Sequence, residues 1–207
     1  MIEARGLCAH AGRFTLKDVT FALPSGAHAL VTGPTASGKT TLLELLAGAI
    51  TPDTGDLRMN GESVVHSRPE HRDIGFVPQH GFLFPHLSVH DNVAYGARGH
   101  GGIHELAARF RISDLMTRGV SSLSGGERQL VALCRALATG APFLFMDEPF
   151  SALDDSRRGE TLRELARMQS QRNLTIVHVT HHASDDPLAT HRLRMHEGRL
   201  TGDTALS

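Results

Sequence analysis

Four short apolar runs recur along the chain, each bounded by turn residues: HALVTG (28–33), DIGFVP (73–78), FLFMD (143–147) and LTIVHVT (174–180). Runs of this length without polar alternation suit strands buried on both faces. Between them, KTTLLELLAG (39–48) and GERQLVALCRALATG (126–140) repeat apolar residues at helical spacing and end in glycine, which favours a helix stop. The alternation predicts an α/β core with a parallel sheet covered by helices. The N-terminal segments IEARGL, RFTLKDVTFAL and DLRMNGE alternate apolar and polar residues instead, predicting an antiparallel sheet packed on one face. HRLRMHEGRLTGD (191–203) reads as a hairpin turning at Glu197-Gly198. From 80 to 140 strand signals vanish, so this segment is expected to be a helical lobe inserted into a core made of 1–79 and 141–207. GARGHGGIH (96–104) has the composition of a flexible stretch.

Composition narrows what such a fold does. A chain of 207 residues fits one domain, or one domain with a lobe, and buries a real core. A formal charge of -1 provides no overall basic field, so nucleic acid is not expected as a partner. No apolar run approaches the roughly 20 residues of a membrane helix, and MIEARGL is no signal peptide, so the expected location is cytosolic. Cys8 and Cys134 stand far apart without metal-type spacing and read as small core residues. The 14 histidines are scattered through polar stretches, and the adjacent pair His181-His182 lacks ligand spacing; solvated surface is the reading for all but one.

GPTASGKT (33–40) fits G-x-x-x-x-G-K-[ST] and lies between an apolar strand and a helical pattern, as a phosphate loop must. The loop of Gly33, Pro34, Thr35, Ala36, Ser37 and Gly38 would wrap around phosphate oxygens and turn the main-chain N–H groups of its non-proline residues toward them, with the helix dipole behind. Lys39 would reach the β- and γ-phosphates, Thr40 would ligate Mg2+, and Thr41 follows in the helix. FLFMDEP ends an apolar strand in Asp147, which puts a carboxylate at the strand's carboxyl edge beside the phosphate loop, suited to Mg2+. Glu148, one residue on, is the candidate general base for an attacking water.

LSGGERQ (123–129) opens the second long helix. Ser124, Gly125 and Gly126 give that helix an N-terminus with free N–H groups and a hydroxyl, suited to an anion; the simpler reading is an N-cap completed by Glu127. The lobe is expected to lie too far from its own phosphate loop to share a nucleotide. In a two-fold homodimer each LSGGE would cap the nucleotide held by the other chain.

Taken together, GPTASGKT, FVPQ ending in Gln79, LSGGERQ, FLFMDEP, SALD ending in Asp154 and VTHH with His181 occur in the order and spacing of one family. The sequence resembles an ATP-binding cassette (ABC) transporter ATPase over nearly its whole length. The resemblance implies a P-loop NTPase fold of the RecA-like kind, ATP and Mg2+ as ligands, and a dimer closed by ATP. By the same resemblance Gln79 links the magnesium and water to the lobe, Asp154 contacts the opposite subunit, and His181 hydrogen-bonds the γ-phosphate.

The motif neighbourhoods are most similar to prokaryotic importers of the molybdate/tungstate group, with sulfate importers next. This implies membrane permease subunits as partners, a solute-binding protein at one remove, and a place on the inner face of the membrane. Phe82, Phe84 and Leu87 are candidates for a socket that receives the permease, or equally for the core of the lobe. A soluble ABC-type ATPase without a transport role is the alternative. The family stacks an aromatic residue on adenine, and counting back from LKDVTF puts His10 there, with Phe14 as the other candidate. His182 replaces the usual acidic residue after the switch histidine, and no regulatory domain is expected after Ser207.

Overall fold

A computed structural model describes residues 1–97, 102–181 and 189–205. His100 and His182, and part of the GARGHGGIH stretch, lie outside them. Two sheets frame the molecule. The antiparallel one has the order β2-β1-β4-β5, from β1 (Ile2–Ala11), β2 (Phe14–Leu23), β4 (Thr54–Met59) and β5 (Glu62–Ser63). Burial alternates along β1, as the polar-apolar pattern requires of a sheet with one packed face. The DLRMNGE segment is not one strand: it turns at Asn60-Gly61 and returns as β5.

The second sheet has the order β10-β9-β3-β8-β7-β6. Its strands β3 (His28–Thr32), β6 (Ile74–Val77), β7 (Phe143–Asp147), β8 (Thr175–Val179) and β9 (His191–His196) are parallel, and β10 (Arg199–Ala205) closes the edge as an antiparallel hairpin partner. Every residue of β3, β7 and β8 is buried. Successive side chains go to opposite faces. Phe143, Phe145, Val177 and Val179 therefore join one core with the antiparallel sheet, while Leu144, Met146 and Ile176 join another with the helices.

Helix α1 (Lys39–Ala47) is sandwiched between the sheets through Leu42, Leu43, Leu45 and Leu46, all fully buried. Residues 80–140 contribute α2 (Val89–Tyr95), α3 (Ile103–Arg109) and α4 (Gly125–Ala138), with 3-10 turns at 113–115 and 120–122. Helix α5 (Asp155–Arg172) covers the second core with Leu162, Leu165 and Met168. None of the described helices is long and apolar enough to cross a membrane.

Candidate functional site

The carboxyl ends of β3 and β7 and the N-terminus of α1 converge on one cavity of about 370 Å³. It is lined by Thr35, Ala36, Gly38, Lys39, Thr40 and Thr41, by Gln79, Glu148 and His181, and by Phe14. Gly38 caps α1 at φ 103°, a conformation costly for other residues, and a Cβ there would meet Phe14 at 2.7 Å. Ala36 also lies in the left-handed region. Alternating backbone hands turn successive N–H groups to one side, which makes an anion-binding concavity.

Lys39, only 6% exposed, donates from Nζ to the carbonyls of Gly33 at 3.0 Å and Pro34 at 2.8 Å, hooking back over the loop. Burial lowers its pKa, with Glu148 and Asp147 pulling the other way. Ser37 Oγ is buried with no hydrogen-bond partner among the described residues. It does not line the cavity but lies behind the loop, on the Gly33 side. From below, the hairpin turn between β9 and β10 braces the loop: Gly198 N donates to Ser37 O at 3.0 Å, and Lys17 N to Gly198 O at 2.8 Å.

Thr40 Oγ1 donates to Asp147 Oδ2 at 2.8 Å, so the two oxygens proposed for Mg2+ already face one another. Burial is the largest influence on Asp147 and raises its pKa; the Thr40 hydrogen bond opposes it. No cluster of three or more His, Cys, Asp or Glu suited to a metal occurs among the described residues. That donor set fits Mg2+ bound between one carboxylate, one hydroxyl, substrate phosphates and water, and does not fit an all-protein cage.

Glu148 follows at φ 46°, a strained conformation for a side chain with a Cβ. Its N–H donates to Val179 O at 2.9 Å, which ties the strained turn to the end of β8. Its carboxylate is held from two sides: His181 Nε2 lies 2.5 Å from Oε1, and Gln79 Nε2 lies 3.4 Å from Oε2. His10 is not among the residues lining this cavity. It is exposed on β1 and lies 2.6 Å from Asp53, whereas Phe14, at the start of β2, borders the phosphate loop.

Ser124, Gly125 and Gly126 line none of this cavity. Ser124 caps α4 in a capping box, accepting from Glu127 N at 3.2 Å while its own N–H donates to Glu127 Oε2 at 2.7 Å. Gly126 lies so close to the 151–154 turn that a Cβ would meet Ala152 O at 2.9 Å. Asp154 caps α5 by accepting from Arg157 N at 2.8 Å. Of the apolar trio Phe82, Phe84 and Leu87, only Phe82 is exposed, at 67%. The Phe84 ring packs at a 51° tilt against Tyr95, itself 70% exposed, with centroids 4.4 Å apart, beneath the Arg135 guanidinium.

The motifs assign no role to two further residues. Gln129, the last residue of LSGGERQ and part of α4, bonds Ser151 and Ala152. A lone amide within the apolar pattern QLVALC was its signal. Arg72 is buried against the C-terminus of α1, and an arginine just before a strand gave no sign of that.

The model of the ABC transporter family matches residues 16–151. The molybdate/tungstate import ATP-binding protein WtpC of Thermococcus kodakarensis is 39% identical over 87% of this chain and 57% of its own length. An Fe(3+) ions import ATP-binding protein, FbpC 2 of Pectobacterium atrosepticum, is 39% identical over 92% of this chain and 58% of its own. The chain thus spans a little over half the length of these curated relatives. The ATP-binding cassette MJ0796, solved as a dimer bound to ADP and Pi, has the same fold, with a TM-score of 0.89 at 23% identity over 100% of this chain and 99% of that one.

Proposed function

Because the chain belongs to the ABC transporter family, we propose that it is the ATP-hydrolysing subunit of a prokaryotic importer and works as a homodimer on membrane permease subunits. The observation that carries the chemistry is the Glu148 carboxylate, held between His181 and Gln79 at the mouth of the phosphate-loop cavity. The main-chain N–H groups of 35–41 and the Lys39 ammonium receive the phosphates of ATP. Mg2+ would supply charge neutralisation for the phosphates, and Thr40, Asp147 and Gln79 are the residues that would hold it. Glu148 takes a proton from the attacking water, and His181 moves its hydrogen bond from Glu148 to the γ-phosphate when ATP is in place.

Ser124, Gly125 and Gly126 belong to the other half of a shared site. Their exclusion from their own chain's cavity supports a head-to-tail dimer in which each α4 N-terminus caps the partner's ATP. For the permease, the cleft of about 470 Å³ lined by Ile74, Phe76 and Tyr95 with Glu70, Asp73 and Arg135, whose guanidinium donates to the carbonyl of exposed Phe82 at 3.0 Å, offers apolar surface among charges of both signs. Among solutes, molybdate or tungstate is the first candidate, on the likeness to WtpC. The equal identity to an Fe(3+) importer subunit fits a role that does not touch the solute.

Glu148→Gln tests the chemistry. It should retain ATP affinity, lose about 10²- to 10⁴-fold in turnover, and accumulate as an ATP-bound dimer in light scattering. Undiminished turnover would remove Glu148 as the base, and a monomer at saturating ATP would overturn the shared site.

A further inference from the structure

We propose that Gln129 is a positioning residue that fixes the backbone of Glu148 and couples it to the N-terminus of its own α4. The inference rests on the reading of Glu148 as the base. Gln129 is 6% exposed, and both ends of its amide are used. Nε2 donates to Ser151 Oγ at 2.8 Å and, more weakly, to the Glu148 carbonyl at 3.4 Å; Oε1 accepts from Ala152 N at 3.0 Å.

The carbonyl it reaches belongs to the residue at φ 46°. That oxygen also accepts from Ser151 Oγ at 3.1 Å and Ser151 N at 3.3 Å, while the N–H of the same residue is fixed by Val179 O. The strained peptide is therefore held on one side by β8 and on the other by a turn that Gln129 stitches to α4. A strained conformation persists only where its surroundings over-determine it.

Steric contact makes the coupling stiff. One turn N-terminal to Gln129, Gly126 leaves no room for a methyl group against Ala152 O. Helix α4 thus cannot shift without moving the 151–152 turn, and that turn cannot move without loosening Glu148. An anion arriving at Ser124–Gly126 and the orientation of Glu148 are set by one rigid unit. In the shared-site dimer that anion is the nucleotide of the partner.

Chemistry separates the amide's two functions. Gln129→Met keeps the length and loses both hydrogen-bonding ends. Gln129→Glu keeps an acceptor for Ala152 N and loses the donor to Glu148 O. Both variants should lower kcat by about ten- to a hundredfold, as misplacement of a reacting group does, with KM for ATP within about twofold of the parent. In the Glu148→Gln background, adding Gln129→Met should remove no further activity, because the residue acts through Glu148.

Full activity in Gln129→Glu would overturn the proposal, as would losses that multiply in the double variant or a rise in KM that accounts for the effect. Should Gln129→Met fail to fold, the isosteric Gln129→Glu carries the same test. If Glu148→Gln itself retains turnover, the reading of the base fails. If Glu148→Gln is inactive while both Gln129 variants are normal, only the coupling fails.

Discussion

Arg72 gives the sharpest test of how the phosphate-loop helix is held. Its guanidinium is 3% exposed and donates to Leu45 O at 2.8 Å, Leu46 O at 2.9 Å and Ser67 O at 3.0 Å. Two of these are among the last carbonyls of α1; Leu45 O also accepts from the capping Gly48 N at 3.1 Å, so Leu46 O depends more on the arginine. A cation at a buried helix C-terminus also meets the negative end of the dipole, worth up to about 2 kcal/mol. Burial pulls the Arg72 pKa below its ordinary value, yet an arginine stays charged at any working pH.

Arg72→Met fills the stem of the space and removes the arginine's bonds to three carbonyls, of which Leu45 O keeps a second donor in Gly48 N at 3.1 Å. Each buried group left unpaired costs about 1 to 3 kcal/mol. Relief from the desolvation of the guanidinium offsets part of that, so the net loss should be about 3 kcal/mol. For a chain of this size about 2 to 4 °C of melting temperature follows each kcal/mol, giving a drop of roughly 6 to 12 °C. Urea unfolding gives the free energy and scanning calorimetry the temperature. Arg72→Lys, which keeps the charge but not the fork of donors, should fall between the two. A loss below about 1 kcal/mol in the methionine variant would refute the account, because solvent or a rearranged loop would then be satisfying those carbonyls as well as arginine does.

Further predictions follow from the cavity. Phe14→Ala should weaken ATP binding by about 1 to 3 kcal/mol, the usual worth of a base on an aromatic face, while His10→Ala should leave it unchanged; nucleotide titrations of the two variants decide. Burial raises the Asp147 pKa in the folded chain, so this group stabilises the nucleotide-free protein below its ordinary value, and that stability is lost as pH rises through the raised one. Mg2+ affinity should climb over the same window, since only the carboxylate binds the ion, and Asp147→Asn should flatten both profiles in pH-dependent unfolding and Mg2+ titration.

The parallel core was legible in the sequence because β3, β7 and β8 are buried on both faces and so carry no polar residue to interrupt the apolar run except at His28, Thr32, Asp147, Thr175 and His178. Helix α5 was not. It touches the core through few residues, Leu162, Leu165 and Met168 among them, set in a run of arginine, glutamate and glutamine, so its periodicity is drowned by its solvated face. Its start was marked by Asp154, which reads equally as a motif residue and as an N-cap. The choice between His10 and Phe14 depends on where the β1–β2 hairpin turns, and β1 carries irregularities in register that counting along the sequence cannot supply. The loop-and-helix geometry of 33–41 was legible because glycine, lysine and threonine there answer to local chemistry alone.

The brace under the phosphate loop bears on how the protein is made. Ser37 and Gly198 meet through a hydrogen bond, and Lys17 joins them, although the ribosome delivers these residues at widely separated times. A nascent chain that has exposed GPTASGKT but not yet the β9–β10 turn carries the binding motif without the support that shapes it. Such a chain should capture nucleotide poorly, so that tight occupancy marks completion of the sheet and not merely emergence of the loop.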